Sequence, residues 1–122
     1  SETEMMYESY QNENERYFVI DFDGHILGGG GIKPLNNGDD NTCELQKMYF
    51  SNSIRGKGLG KKMLEKCLDF AVNSKYKICY LETITKLDSA IILYGKFGFK
   101  RIDAPLGNTC HYSCDIQMIK DL

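Results

Sequence analysis

The sequence has no tryptophan, only two prolines and no long run of apolar residues. A transmembrane helix needs ~20 consecutive apolar residues, so no membrane association is expected. With so few prolines and no long polar tract, general disorder is not expected either. The 15 Lys and Arg residues are balanced by 17 Asp and Glu residues, which gives a net charge of −2. Because nucleic-acid-binding domains normally carry a basic excess, nucleic acid is not an expected partner.

The length and the cysteines predict one cytoplasmic domain that spans residues 1–122. A chain of 122 residues lies within the usual size of a single domain. Its five cysteines are odd in number and scattered through predicted strands and a helix, which is not typical of a disulfide scaffold. Cys110, His111 and Cys114 have no second cysteine pair at ligand spacing, so free thiols are expected in place of a zinc site. The polar, acidic start of the chain has no signal-peptide pattern.

The distribution of apolar and turn-forming residues predicts a mixed α/β sheet in the order β-β-β-α-β-α-β-β. Asp88 or Ser89 is predicted to cap the second helix, and Gly98 to end it in the left-handed conformation. Strands are predicted over residues 16–21, 26–32, 43–50, 78–83, 99–102 and 112–120. The first helix is predicted to start in the loop before residue 61 and to end near residue 74, and the second to span residues 90–97.

Two strands carry further expectations. The second strand contains four consecutive glycines, 28–31, which mark a bulge or a close approach by another backbone. In the third strand, Leu45, Met48 and Phe50 are the expected buried residues.

The strongest functional signal is a glycine-rich basic loop before a helical apolar period, made of Arg55, Gly56, Lys57, Gly58, Leu59, Gly60 and Lys61. Backbone N–H groups at a helix start have no intrahelical partner, and glycines let phosphate oxygens approach them. Cations at this end are unfavourable unless an anion binds there. The segment therefore predicts a phosphate-binding loop, and a solvated basic turn is the alternative. Lys61 stands where the P-loop and dinucleotide motifs each require glycine, so neither motif is present.

This chain closely resembles the GNAT superfamily of N-acetyltransferases in two motifs, Arg55-x-x-Gly58-x-Gly60 before the first helix and Leu93-Tyr94-x-x-Phe97-Gly98-Phe99 around the end of the second. The resemblance begins near residue 16 and implies an acyl-CoA N-acyltransferase-like α+β fold with flanking helices. The family's first strand and helices have no counterpart beyond the tail of the second helix. Leu87 stands where the family often has a cofactor-contacting asparagine.

The resemblance implies an acetyl-CoA-dependent N-acetyltransferase that needs no metal. It implies direct attack by a primary amine of a small molecule or peptide in a ternary complex. The alternative is a non-catalytic acyl-CoA-binding or sensing domain. By resemblance, a bulge separates the third strand from the next one and opens a V-shaped cleft. The acetyl-CoA contacts implied are Met48, Tyr49, Phe50, Arg55, Gly56, Lys57, Gly58, Leu59, Gly60, Lys61 and Ser89.

The resemblance also implies catalytic residues. Tyr94 corresponds to the family's general acid, with a packing aromatic as the alternative. Glu44 is a candidate general base, with a carboxylate at the strand edge as the alternative. Glu82 is a second candidate base, with a contact to the acceptor as the alternative. His25 is expected to be a bystander. His111, at the entry to the last strand and near the expected acceptor cleft, is a less favoured catalytic candidate. Because the first strand is expected near a sheet edge, a homodimer or a locally mobile N-terminal third is expected.

Overall fold

A computed structural model of the chain describes residues 12–54, 56–108 and 114–122. The predicted element order is confirmed, with a short 3₁₀ turn, Asn52–Ile54, added after the third strand. No helix in the described ranges is long and apolar enough to cross a membrane. In chain order the elements are β1 (Arg16–Phe22), β2 (His25–Pro34), β3 (Thr42–Phe50), α1 (Leu59–Asn73), β4 (Ile78–Thr83), α2 (Asp88–Lys96), β5 (Lys100–Ile102) and β6 (Ile116–Asp121).

The strands form one mixed sheet in the order β1-β2-β3-β4-β6-β5. Every neighbouring pair is antiparallel except β3 and β4, which run parallel. This parallel pairing is short, because it joins only Thr42–Glu44 of β3 to Ile78–Tyr80 of β4. Beyond Glu44 the two strands separate, which is the divergence that the family resemblance implies.

A bulge in β3 lies just after this point of separation. Gly29 pairs with Tyr49 and Gly31 pairs with Gln46, so β3 uses one residue more than β2 over the same stretch. Lys47, inside the bulge, has a left-handed φ of 54°. The extra residue reverses the alternation of β3, so Leu45 before the bulge and Met48 after it both contact the core.

The glycine run of β2 makes room for its neighbours. A Cβ atom on Gly29 would lie 2.5 Å from Tyr17 Oη, and one on Gly28 would lie 2.9 Å from the Tyr49 carbonyl oxygen. The Tyr17 hydroxyl crosses β2 and donates a hydrogen bond of 3.2 Å to the Lys47 carbonyl. The glycines therefore let a side chain reach the bulge, which itself lies on β3 and not within the glycine run.

Helix α1 covers one face of the sheet with its apolar stripe. Phe70 is half-buried at the edge of this layer and meets Phe18 of β1 edge to face, with ring centroids 6.3 Å apart. The predicted stripe is confirmed, and its buried members are Met63, Leu64, Cys67, Leu68 and Ala71.

The ends of the later elements differ from the predictions. Leu87 is the N-cap residue of α2 and no side chain caps it, so the predicted caps at Asp88 and Ser89 are wrong. A turn closed by the Leu87 N–H and the Ile84 carbonyl starts the helix earlier than its apolar pattern. The predicted role of Gly98 is confirmed by its φ of 94°.

The predicted starts of the last two strands are early. Strand β5 begins at Lys100, one residue after the predicted start, and β6 begins at Ile116. Asp115 stands outside β6 because its carboxylate accepts hydrogen bonds from the backbone and the hydroxyl of Thr85. Residues 109–113, which the prediction included in part, lie outside the described ranges.

Candidate functional site

A cleft of about 700 Å³ lies where β3 has separated from β4. It extends from the end of β3 to the loop before α1 and the first turns of α2. Its lining includes most of the residues that the sequence predicted as cofactor contacts, together with the predicted acid: Met48, Tyr49, Phe50, Gly56, Gly58, Leu59, Gly60, Ser89 and Tyr94.

The last three residues of β3 present one backbone edge to this cleft. Tyr49 and Phe50 pair with β2 on one side, while the pairing with β4 has already ended at Glu44. The Met48 and Phe50 side chains pack against the core, so they leave the backbone edge accessible. Such an edge can pair with the amides of an extended ligand, as an added strand does.

The start of α1 forms the opposite end of the cleft. Gly58 is the N-cap residue with a φ of 74°, and no side chain caps the helix. The first turn contains no acidic residue. Gly56 is also left-handed, with a φ of 80°. The helix start therefore has backbone N–H groups without a side-chain cap, which is a geometry that favours anions.

The basic side chains of the loop lie beside the cleft. Lys57 and Lys61 are exposed and are not among the residues that line it. Arg55, the first residue of the motif, lies outside the described ranges. Positive charge from the two lysines thus reaches the mouth of the site from solvent.

Tyr94 lies between the cleft and the core. Its side chain is buried, and its ring meets Phe99 edge to face with centroids 5.9 Å apart. Burial, with smaller effects from Cys67 and Cys79, raises the pKa of Tyr94 to about 12. The hydroxyl is therefore protonated at neutral pH and can donate a hydrogen bond.

The two candidate bases lie on the sheet face opposite α1. Glu44 is buried, and the Gln46 amide donates a hydrogen bond of 2.6 Å to its Oε1 atom. Glu82 is half-buried, and the Tyr80 hydroxyl donates to its Oε2 atom at 2.5 Å. Neither glutamate lines the 700 Å³ cleft. Both lie near the point where β3 and β4 separate, on the other side of the sheet.

A second cavity, of about 430 Å³, opens on this other face. Glu44 and Gln46 form part of its wall, with Lys33 on the neighbouring strand opposite Glu44. Its lining is mostly polar and consists of Glu15, Lys33, Pro34, Leu35, Asn36, Asn37, Glu44, Gln46 and Asn108. The sheet thus has a cleft on one face and, on the other, a cavity whose lining residues lie mostly in β2, β3 and their connecting loop.

Comparison with known proteins identifies the family. The profile of the family described as "Acetyltransferase (GNAT) family" matches residues 1–99. This chain belongs to the GNAT family of acetyltransferases. A relative in Escherichia coli, named as the uncharacterized N-acetyltransferase YjgM, is 44% identical over 117 residues, which are 96% of this chain and 70% of that protein. The protein is therefore an N-acetyltransferase, which favours the catalytic interpretation over a binding domain alone.

Solved structures of GNAT proteins share the fold. An acetyltransferase of Staphylococcus aureus matches with a TM-score of 0.85 and 25% identity, over 97% of this chain and 74% of that one. A Salmonella typhimurium protein whose structure contains acetyl-CoA matches with a TM-score of 0.77 and 20% identity, over 98% of this chain and 72% of that one. Some other relatives are longer, since the chain spans 41% of the Xenopus laevis protein named probable N-acetyltransferase camello.

Several residues of the GNAT site were not predicted. Leu87, noted only as a departure from the family, lines the cleft and is exposed. Tyr80 and Gln46 were missed, although strand alternation places them on the same faces as Glu82 and Glu44. The other lining residues missed were Ile54, Lys86, Asp88, Ala90 and Leu93, which adjoin the recognised motifs in sequence.

Of the remaining sequence candidates, the described residues His25 and Cys114 do not line the cleft. His25 is exposed at the start of β2, while Cys110 and His111 lie outside the described ranges. Within those ranges the thiols Cys43, Cys67, Cys79 and Cys114 are free, and no group of three or more His, Cys, Asp or Glu residues could hold a metal ion.

Proposed function

We propose that this GNAT protein uses acetyl-CoA to acetylate a primary amine of a small molecule or peptide, by direct attack in a ternary complex. The observation that carries the proposal is the split between β3 and β4. On one side of it lie an anion-favouring helix start and the end of β3, beyond the last residue that pairs with β4, and on the other side lie carboxylates. A donor and an acceptor can therefore meet through the split from opposite faces of the sheet.

The donor would lie along the 700 Å³ cleft. The amides of its pantetheine arm would pair with the backbone of Met48, Tyr49 and Phe50, whose edge toward β4 is open. Its pyrophosphate would accept hydrogen bonds at the start of α1, with the neighbouring lysines supplying charge. The proposed contacts in this loop are Arg55, Gly56, Lys57, Gly58, Leu59, Gly60 and Lys61, with Ser89 across the cleft.

Deprotonation of the acceptor is assigned to Glu82. An amine is mostly protonated at neutral pH, so it must lose a proton before its nitrogen attacks the thioester carbon. Glu82 stands beyond Tyr80, the last β4 residue that pairs with β3, and so at the level of the open split. Glu44 belongs to the last pair and lines the polar cavity, which suits a contact that orients the acceptor.

The leaving group is assigned to Tyr94. As the carbon–sulfur bond breaks, the thiolate of coenzyme A takes up negative charge. A thiol has a pKa of about 8.5, well below the pKa of about 12 of Tyr94. Full proton transfer from the phenol is therefore uphill, and Tyr94 would act mainly by donating a hydrogen bond to the developing thiolate.

The proposed reaction is tested by following free coenzyme A thiol and acetylated product together, with a panel of amines. Equal yields of the two, dependent on both substrates, are expected. Glu82→Gln should reduce turnover ~10²–10⁴-fold and leave acetyl-CoA binding intact. Tight acetyl-CoA binding without acetylation of any amine in the panel would instead support a sensing domain.

A further inference from the structure

Tyr80 is a buried tyrosine at the centre of the sheet that the reaction described above does not use. Its side chain has no exposed surface, and its backbone is paired with β3 and β6 on its two sides. A buried phenol needs a partner for its hydroxyl. Tyr80 has two, and both lie on the sheet face of the candidate bases.

The Tyr80 hydroxyl is at once a donor and an acceptor. It donates to Glu82 Oε2 at 2.5 Å and accepts a hydrogen bond of 3.2 Å from the Leu106 backbone N–H. Leu106 belongs to the loop between β5 and β6. The same loop is fixed to the β2–β3 loop, because the Asn108 N–H donates to the Asn36 carbonyl at 2.7 Å. One hydroxyl thus joins the proposed base to a loop that runs beside the polar cavity.

We infer that Tyr80 is a positioning residue: its hydroxyl fixes the Glu82 carboxylate beside the split and ties it to the β5–β6 loop. The inference rests on the proposed role of Glu82 as the base. Burial, followed by the hydrogen bond to Glu82, raises the pKa of Tyr80, so the phenol stays a donor in the working pH range.

Several acidic groups share this part of the sheet. Cys114 lies in the segment before β6, where burial raises its pKa and the charges of Glu82, Asp115 and Glu44 raise it further. Among these groups the Tyr80 hydroxyl is a donor toward Glu82. Its removal should therefore take away a contact that holds the Glu82 carboxylate in place.

The test is the kcat and KM of Tyr80→Phe, which keeps the ring and removes only the hydroxyl. Because Glu82 loses a contact that positions it, kcat should fall roughly 10–10²-fold. The KM for acetyl-CoA should not change. Tyr76→Phe is the matched control, because its hydroxyl is also in a buried residue but donates to the Asn14 carbonyl and not to a candidate base. It should leave kcat unchanged.

Two comparisons separate this inference from the proposed function. Wild-type turnover in Glu82→Gln would contradict Glu82 as the base. Lost turnover in Glu82→Gln, together with an unchanged kcat in folded Tyr80→Phe, would overturn the role of Tyr80 alone. In the Glu82→Gln background, Tyr80→Phe should have no further effect on kcat. If Tyr80→Phe does not fold, Glu82→Asp shortens the side chain away from the hydroxyl, and a wild-type kcat in that variant would overturn the inference.

Discussion

At the residue scale, Tyr94 lines the cleft and also packs its ring against Phe99 in the core. Tyr94→Phe keeps the ring contact with Phe99, so the fold and coenzyme A affinity should be nearly unchanged. Turnover should fall toward the lower end of the ~10²–10⁴-fold range, because a hydrogen bond and not a full proton transfer is lost. Single-turnover kinetics, in which chemistry limits the rate, measure this effect.

A control is needed because any buried tyrosine can act through packing. Tyr76→Phe removes the hydroxyl of another buried tyrosine. Burial raises the pKa of Tyr76 to about 12 as well, and Tyr76 does not line the cleft. If the single-turnover rates of Tyr94→Phe and Tyr76→Phe are equal, Tyr94 acts through packing and not through its hydroxyl.

Gly58 and Gly60 belong to one motif but meet different physical requirements. Gly58 has a φ of 74°, where a side chain costs roughly 1–2 kcal/mol. Gly60 lies inside α1, and a Cβ there would make an ordinary contact of 3.4 Å with Leu93 Cδ2. The first glycine is thus needed for backbone shape, whereas the second lines the cleft, where the absence of a side chain leaves room for a ligand.

At the element scale, the start of α1 is predicted to bind the pyrophosphate. Gly58→Asp adds bulk and negative charge where N–H groups and lysines should meet an anion, so it should abolish acetyl-CoA binding in calorimetry. Gly60→Glu should do the same. Gly24→Asp is the matched control, since Gly24 has a similar φ of 83° but lies in the β1–β2 turn. Unchanged affinity in the Gly58 and Gly60 variants would rule out this loop as the phosphate site.

The elements also show how far the sequence could predict the structure. Periodicity and turn residues were enough for the element order and for the buried face of α1. The bulge position was not predicted, because Lys47 is a residue type that gives no signal for a left-handed φ of 54°. The predicted caps of α2 were wrong because a backbone turn at Ile84 starts the helix, with no side chain as its cap. Strand alternation places Tyr80 and Glu82 on one face of the sheet, but it does not show that their side chains form a hydrogen bond.

At the scale of the whole molecule, several buried thiol and phenol groups should make the protein less stable as the pH rises into the alkaline range. Burial raises the pKa of Cys67 to about 12, and it also raises the pKa values of Tyr76 and Tyr94 to about 12. The unfolded chain loses these protons at lower pH than the folded one, so its release of protons favours unfolding as pH rises. Urea unfolding free energies should be flat near neutral pH and fall above about pH 8.5, where an unfolded thiol ionises.

The slope identifies the groups involved. Each group that is ionised only in the unfolded state lowers the free energy of unfolding by about 1.4 kcal/mol per pH unit. Cys67→Ala should lose stability at neutral pH but show a shallower alkaline slope than the wild type. A parallel slope in the variant would show that Cys67 does not contribute.

The edge of the sheet makes a prediction about assembly. Within the described ranges β1 is the first strand of the sheet and pairs only with β2. Because an exposed strand edge can pair with another chain, a dimer or a locally mobile β1 is expected. Light scattering and hydrogen exchange can be combined to test this. A monomer at high concentration with strong amide protection across β1 would contradict both expectations.

The most direct test of the account is a crystal structure of the protein with acetyl-CoA. The pantetheine amides should pair with the backbone of Met48 and Phe50, and the pyrophosphate should lie on the N–H groups that follow Gly58 at the start of α1. The thioester should lie within reach of Tyr94 and face the split toward Glu82. Acetyl-CoA bound away from the β3–β4 split, with the start of α1 unoccupied, would contradict the account.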